Sequence, residues 1–221
     1  MAVSDELIGE MENVISASAG IGYSNSSAAN DVYEGYIWAL CLQAAKLQNG
    51  IVSFETSSGQ SAYSLIFRTS PGNIFSQSQQ YTHANLSFGG CPPLEVHIGI
   101  KVLGKSRVLH ECDVAIVEKA EAELCRRESV HPRASKVFMA IECKFYTSNL
   151  QLHLGRGFLG LTNEIHRDER YIISNARSSN VAKLINHHKA EWEFGVFPQM
   201  QEAQALLQRF ARAFRNYRTG F

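Results

Sequence analysis

The sequence predicts an α/β protein in which helices flank a mixed central sheet. Three observations carry that expectation. Leu94 to Leu103 alternates, with Val96, Ile98, Ile100 and Val102 on one side and Glu95, His97, Gly99 and Lys101 on the other; Gly104-Lys105-Ser106 then turns the chain into a second strand-like run, Val108 to Glu118. Val137 to Tyr146 is a third run, apolar on both faces, as a strand covered on both sides should be. Helical spacing brackets the three: Val32, Tyr33, Tyr36, Ile37, Leu40, Cys41, Ala44 and Leu47 before them, and Leu206, Leu207, Phe210, Phe214 and Tyr217 after them.

Residues 1–30 read as a short helix over 5–15 followed by a small, polar linker over 16–29. Asp31 to Gln48 is the first long helix, closed by Asn49-Gly50. Residues 51–93 form a β-rich insertion: strands at 51–55 and 62–68 around a Ser-Ser-Gly turn, a turn at 70–73, a loop at 77–80 and a strand at 81–88. After the hairpin, 119–135 is a charged excursion, partly helical. Beyond the strand at 137–146 the pattern predicts a helix over 150–163, a short strand at 171–175, a helix at 181–188, a strand at 192–197 and a C-terminal helix within 199–221.

The 221 residues suit a single domain, with a hydrophobic fraction of 45% and ample length for a core. Lysine plus arginine and aspartate plus glutamate both number 21, which argues against a protein that coats nucleic acid non-specifically and leaves room for a local basic surface. The five cysteines form no CxxC pair, so reduced thiols in a cytoplasmic protein are expected, and no run has the length of a membrane helix.

The chemistry concentrates in the third strand. Glu142 and Lys144 stand two positions apart in the run Val-Phe-Met-Ala-Ile-Glu-Cys-Lys-Phe-Tyr and so project from one face, roughly 7 Å apart. Burying either charge without a partner is costly, so their place in an apolar strand asks for a reason. The second strand supplies a partner. Glu111, Asp113, Ala115 and Val117 are expected on one face, and His110, Cys112, Val114 and Ile116 on the other. If the strands are neighbours, Asp113, Glu142 and Lys144 converge. Two carboxylates and an amine suit Mg²⁺ or Mn²⁺ shared with a phosphodiester. Glu111 is expected to lie too far along its strand to take part.

An Asp in one strand followed by Glu-x-Lys in the next resembles the PD-(D/E)XK nuclease superfamily, over roughly residues 31–177. Cys112 stands where that family's name has proline. The resemblance implies a restriction-endonuclease-like αβββαβ core and Mg²⁺-dependent hydrolysis of DNA, leaving a 5′-phosphate and a 3′-hydroxyl. It implies Asp113, Glu142 and the carbonyl of Cys143 as metal ligands and Lys144 as the group that orients water. It also implies a third acid, Glu34, on the helix before the sheet. Asp31-Val32-Tyr33-Glu34 equally fits a capping box, which would explain Glu34 without chemistry.

Lys105 and Arg107 at the hairpin turn, and Gln151 and Arg156 on the following helix, are candidate nucleic-acid contacts, or polar side chains that only meet solvent. Arg209, Arg212, Arg215 and Arg218 near one face of the last helix are open to the same two readings. Nothing in the sequence shows a separate DNA-reading module, so specificity would come from loops, the 51–93 insertion, a homodimer or a partner subunit, and a role in defence against foreign DNA follows by family analogy. The competing expectations are an RNA-cleaving enzyme and a noncatalytic nucleic-acid-binding or assembly protein on the same fold.

Overall fold

The computed structural model describes residues 5–23, 29–68, 70–78, 80–165 and 169–220, with the side chains of 5–7, 22–23 and 29–30 left aside. Its centre is a mixed seven-stranded sheet flanked by helices. In chain order the elements are α1 (Asp5–Ala19), β1 (Gly22–Tyr23), α2 (Ala29–Leu47), β2 (Ile51–Thr56), β3 (Ser64–Leu65), β4 (Thr82–Ser87), β5 (Leu94–Leu103), β6 (Leu109–Glu118), α3 (Lys119–Glu128), a 3-10 turn (Ala134–Lys136), β7 (Val137–Lys144), α4 (Leu152–Glu164), β8 (Arg170–Ser174), α5 (Ser179–His187), β9 (Glu191–Phe194) and α6 (Gln201–Thr219). The sheet order is β2-β4-β5-β6-β7-β8-β9. Neighbours from β2 to β7 are antiparallel; β7-β8 and β8-β9 are parallel, each joined by a helix as a parallel pair requires.

Within the β-rich segment 51–93, β2 and β4 extend the core sheet beyond β5. The strand expected over 62–68 shrinks to Ser64–Leu65, which pairs in parallel with Gly22–Tyr23. Only a single bridge, Glu55 to Ser61, survives of the hairpin around Ser-Ser-Gly. The expected linker over 16–29 starts as the end of α1 and includes β1; residues 24–28 lie outside the described residues.

Two apolar clusters cover the two faces. Leu94, Val96, Ile98, Val114, Ile116, Met139 and Ile141 pack on α2, α6 and α1. Ala115, Val117, Ala140 and Ile172 pack on the α4 and α5 side with Phe158, Val181 and Ile185. α2 lies close on its face: a Cβ on Gly35 would come within 2.7 Å of the Phe67 ring, and Trp38 donates its indole N–H to the Val96 carbonyl at 3.2 Å.

The predicted alternation fails at two places. Between β6 and β7 the register shifts and skips Phe138, which joins Met139 in the first cluster. The other break lies between β5 and β6. Ile100 and Val102 belong with the second cluster although Val96 and Ile98 belong with the first. Cys112 likewise joins Ala115 and Val117, not Val114 and Ile116. The change of side falls at Gly99, whose φ is +60°, opposite Asp113 in a register that pairs Ile98 with Val114 and Ile100 with Cys112. A left-handed residue inside a strand redirects its side chains, and glycine adopts that conformation without penalty.

Candidate active site

The site lies where β6 and β7 part. Their ladder ends at Val114–Ile141. Towards its start, β6 continues against β5 alone, and β7 runs on to Lys144 against β8 alone. The split frees a backbone donor in a buried place, and Asp113 meets it: the Cys143 N–H donates to Oδ2 of Asp113 at 2.7 Å. Lys144 Nζ sits between the acids, 2.5 Å from Oε1 of Glu142 and 3.7 Å from Oδ2 of Asp113. Asp113 is buried, while Glu142 and Lys144 are half-buried. The three side chains thus meet at the Lys144 ammonium.

Glu34 joins them from α2. Tyr33 anchors that turn of the helix, with its ring centroid 5.2 Å from that of Phe145 and its hydroxyl donating to the Val196 carbonyl at 3.3 Å. The helix begins at Ala29, so Asp31 stands inside its first turn, not at the N-cap, and the capping-box geometry does not hold. Burial, then the charges of Asp113, Asp31 and Glu111, push the Glu34 carboxyl up to about 9. Burial and the neighbouring Glu142 push Asp113 up to about 7. Burial alone would lower Lys144, but Asp113 and Glu142 hold its ammonium well above the ordinary lysine value.

Glu111 also enters the cluster's field: burial and Glu142 raise its carboxyl. The sequence reading set it aside on strand spacing; its position two residues before Asp113 was the available signal. Cys143 contributes its N–H, and its thiol packs in the core beneath α2.

Lys105 and Arg107 occupy the exposed β5–β6 turn, Gln151 precedes α4, and Arg156 lies on its first turns, all exposed. The antiparallel pairing puts the start of β6 and the end of β7 at one end of the sheet, so the turn and the start of α4 belong to the end that carries the site. None of these four side chains bonds to Asp113, Glu142 or Lys144. In α6, Arg209 is engaged by Glu191, Glu193 and the Trp192 carbonyl, and Arg218 by the Gln48 carbonyl, leaving Arg212 and Arg215 exposed.

A second polar cluster escaped the sequence reading. His83, Glu95 and His97 are fully buried, and Glu95 takes a two-pronged ion pair from Arg126 at 2.7 and 2.8 Å. None of the five cysteines is disulfide-bonded, and no described helix is long and apolar enough to cross a membrane. No protein-family model, curated protein or solved structure matches the chain.

Proposed function

We propose that this chain is a metal-dependent nuclease of the PD-(D/E)XK type that hydrolyses phosphodiester bonds of DNA. The observation that supports it is the Lys144 ammonium held between the carboxylates of Asp113 and Glu142 at the parting of β6 and β7. The order α2, β5, β6, β7, α4, β8 is then the αβββαβ core, with β2 and β4 added at one edge and β9 at the other.

On this reading Asp113, Glu142, Glu34 and the carbonyl of Cys143 hold Mg²⁺ or Mn²⁺. The donor set fits a hard dication, because the raised carboxyls of Asp113 and Glu34 record like charges crowded in a buried place, and a dication relieves that crowding. When bound, the metal polarises the phosphoryl oxygens and makes water a better nucleophile. Lys144 keeps its proton at neutral pH and offers N–H donors to the attacking water and the charge that develops on phosphate. Glu142 fixes that ammonium, and the Cys143 N–H fixes the carboxylate of Asp113. Lys105, Arg107, Gln151 and Arg156 would meet the nucleic-acid backbone at the same end of the sheet, with a second copy or a partner subunit supplying further specificity.

The test is incubation with plasmid, single-stranded DNA and RNA, each with Mg²⁺, Mn²⁺ or EDTA, beside the Lys144→Ala variant. Cleavage of DNA that needs the metal and Lys144 supports the reading. Cleavage of RNA alone moves the substrate to RNA. Intact substrates throughout, or cleavage indifferent to EDTA and to Lys144, overturn it.

A further inference from the structure

We propose that His83, Glu95 and His97 form a second, buried site for one divalent transition-metal ion of the zinc type, a structural site that ties β4 to β5 beneath α3. It does not rest on the nuclease reading. The register generates the cluster. Glu55 of β2 pairs with His83 of β4, and the pairing of Ala84 with Val96 brings His83 alongside His97 of β5. The two imidazoles stack with centroids 4.8 Å apart and planes inclined by 22°. Glu95, two residues before His97, shares its face.

The donor atoms are spaced for a small tetrahedral ion. Oε2 of Glu95 shares a hydrogen bond with Nε2 of His97 at 3.0 Å, which a metal bound between them would replace; it lies 3.5 Å from Nε2 of His83, and the three ligand atoms all fall within 4.8 Å of one another. Zinc bonds of about 2.0–2.1 Å at tetrahedral angles put neighbouring donors roughly 3.3–3.4 Å apart. Among the described residues this is the one group of three or more His, Cys, Asp or Glu side chains whose donor atoms all lie within 4.8 Å of one another. Oε2 of Glu55, 3.8 Å from Nε2 of His83, is positioned as a fourth donor.

A second observation is the want of partners. His83 is fully buried, yet neither of its ring nitrogens has a hydrogen bond, and Nδ1 of His97 also has none. Native proteins rarely leave such groups unsatisfied, and a bound ion is among the standard reasons when they stand without a hydrogen bond.

Charge selects the kind of ion. Arg126 already neutralises Glu95, and Lys119, 3.3 Å from Oε1 of Glu55, already neutralises Glu55. A hard, oxygen-seeking cation such as Mg²⁺ gains little there. Imidazole nitrogen favours Zn²⁺ and Co²⁺. The burial of all three ligands leaves no open position for substrate, which is the mark of a structural site.

The experiment is titration of chelator-treated full-length protein with Co²⁺ and then Zn²⁺, read by visible absorption and by thermal melting, on wild type, Asp113→Asn, His83→Gln and His97→Gln. The expected result is one equivalent of Co²⁺ with an intense tetrahedral spectrum, displaced by Zn²⁺ with a rise in Tm. It should persist in Asp113→Asn and vanish in both histidine variants. Absence of a stoichiometric site in wild type, survival of the spectrum in both histidine variants, or its loss in Asp113→Asn overturns the proposal. Should the histidine variants not fold, X-ray absorption of the zinc-loaded wild type decides: imidazole scattering with oxygen donors upholds the site, and a shell without imidazole overturns it.

Discussion

The amide of Cys143 donates to the carboxylate of Asp113 just past the last rung between β6 and β7. One side chain thus seals the end of a ladder and is held in place by the strand it has parted from. Asparagine can accept the same hydrogen bond without the charge. Asp113→Asn should therefore fold and melt no lower than wild type at pH 8, while losing cleavage and most of its Mg²⁺ affinity. Circular dichroism melts and metal calorimetry on one preparation check both halves.

Lys144 is a donor on this reading and not a metal ligand. Lys144→Ala should lower kcat by about 100-fold or more, the usual scale for removing one donor from a developing oxyanion, with little change in KM. Metal affinity should hold or rise, because the ammonium no longer competes for the two carboxylates. A variant that cleaves every nucleic acid at the wild-type rate would refute the assignment.

Glu34 and Asp113 make stability depend on pH. Each carboxyl is raised in the folded protein, so between the ordinary carboxylate range, about 4, and its folded value the native state holds a proton that the unfolded state has released. Stability without metal should fall as pH climbs through 5 to 9, and Mg²⁺ should restore it. Glu34→Gln should flatten the upper part of that decline and weaken metal binding. Melts across pH with and without Mg²⁺ read this directly; an unchanged slope in the variant would return Glu34 to a purely structural role.

Gly99→Ala tests the turn-over of the strands opposite Asp113. An added Cβ meets nothing closer than 3.6 Å, so the cost is the left-handed backbone, about 1–2 kcal/mol. Chemical denaturation measures it. Activity should fall more than that loss explains, because the residue across the register is Asp113.

Arg126→Met removes the partner of a fully buried carboxylate. It should destabilise by about 3–5 kcal/mol, the usual effect of stranding one half of a buried pair. Glu95→Gln combined with Arg126→Met should recover much of the loss, measured by urea denaturation.

What could be read from the chain followed the range of the forces involved. Glu142 and Lys144 were legible because strand alternation is local, and Asp113 because a charge inside an apolar strand is conspicuous, although the alternation of β6 breaks opposite Gly99. The position of Glu34 was only half legible: its helix is plain in the pattern, but whether it caps or reaches the sheet depends on where the helix begins, and that is at Ala29. The change of side at Gly99 was not legible, since a glycine in a strand pattern does not announce a positive φ. His83, Glu95 and His97 were invisible for another reason. Each is ordinary alone, and only the joining of β4 to the sheet beside β5, and the cover of α3, bring them together and bury them.

The parting of β6 and β7 has a consequence for synthesis. Past Ile141, the backbone of β7 rests on β8 alone, where Lys144 pairs with Ser174 and the Ser174 hydroxyl donates to the Lys144 carbonyl at 2.7 Å. A growing chain that has just emerged to residue 144 carries every acid and the lysine but nothing to hold the last of them. The ribosome must deliver about thirty more residues before the acid–lysine cluster can close, so the cluster forms only when the sheet is nearly complete.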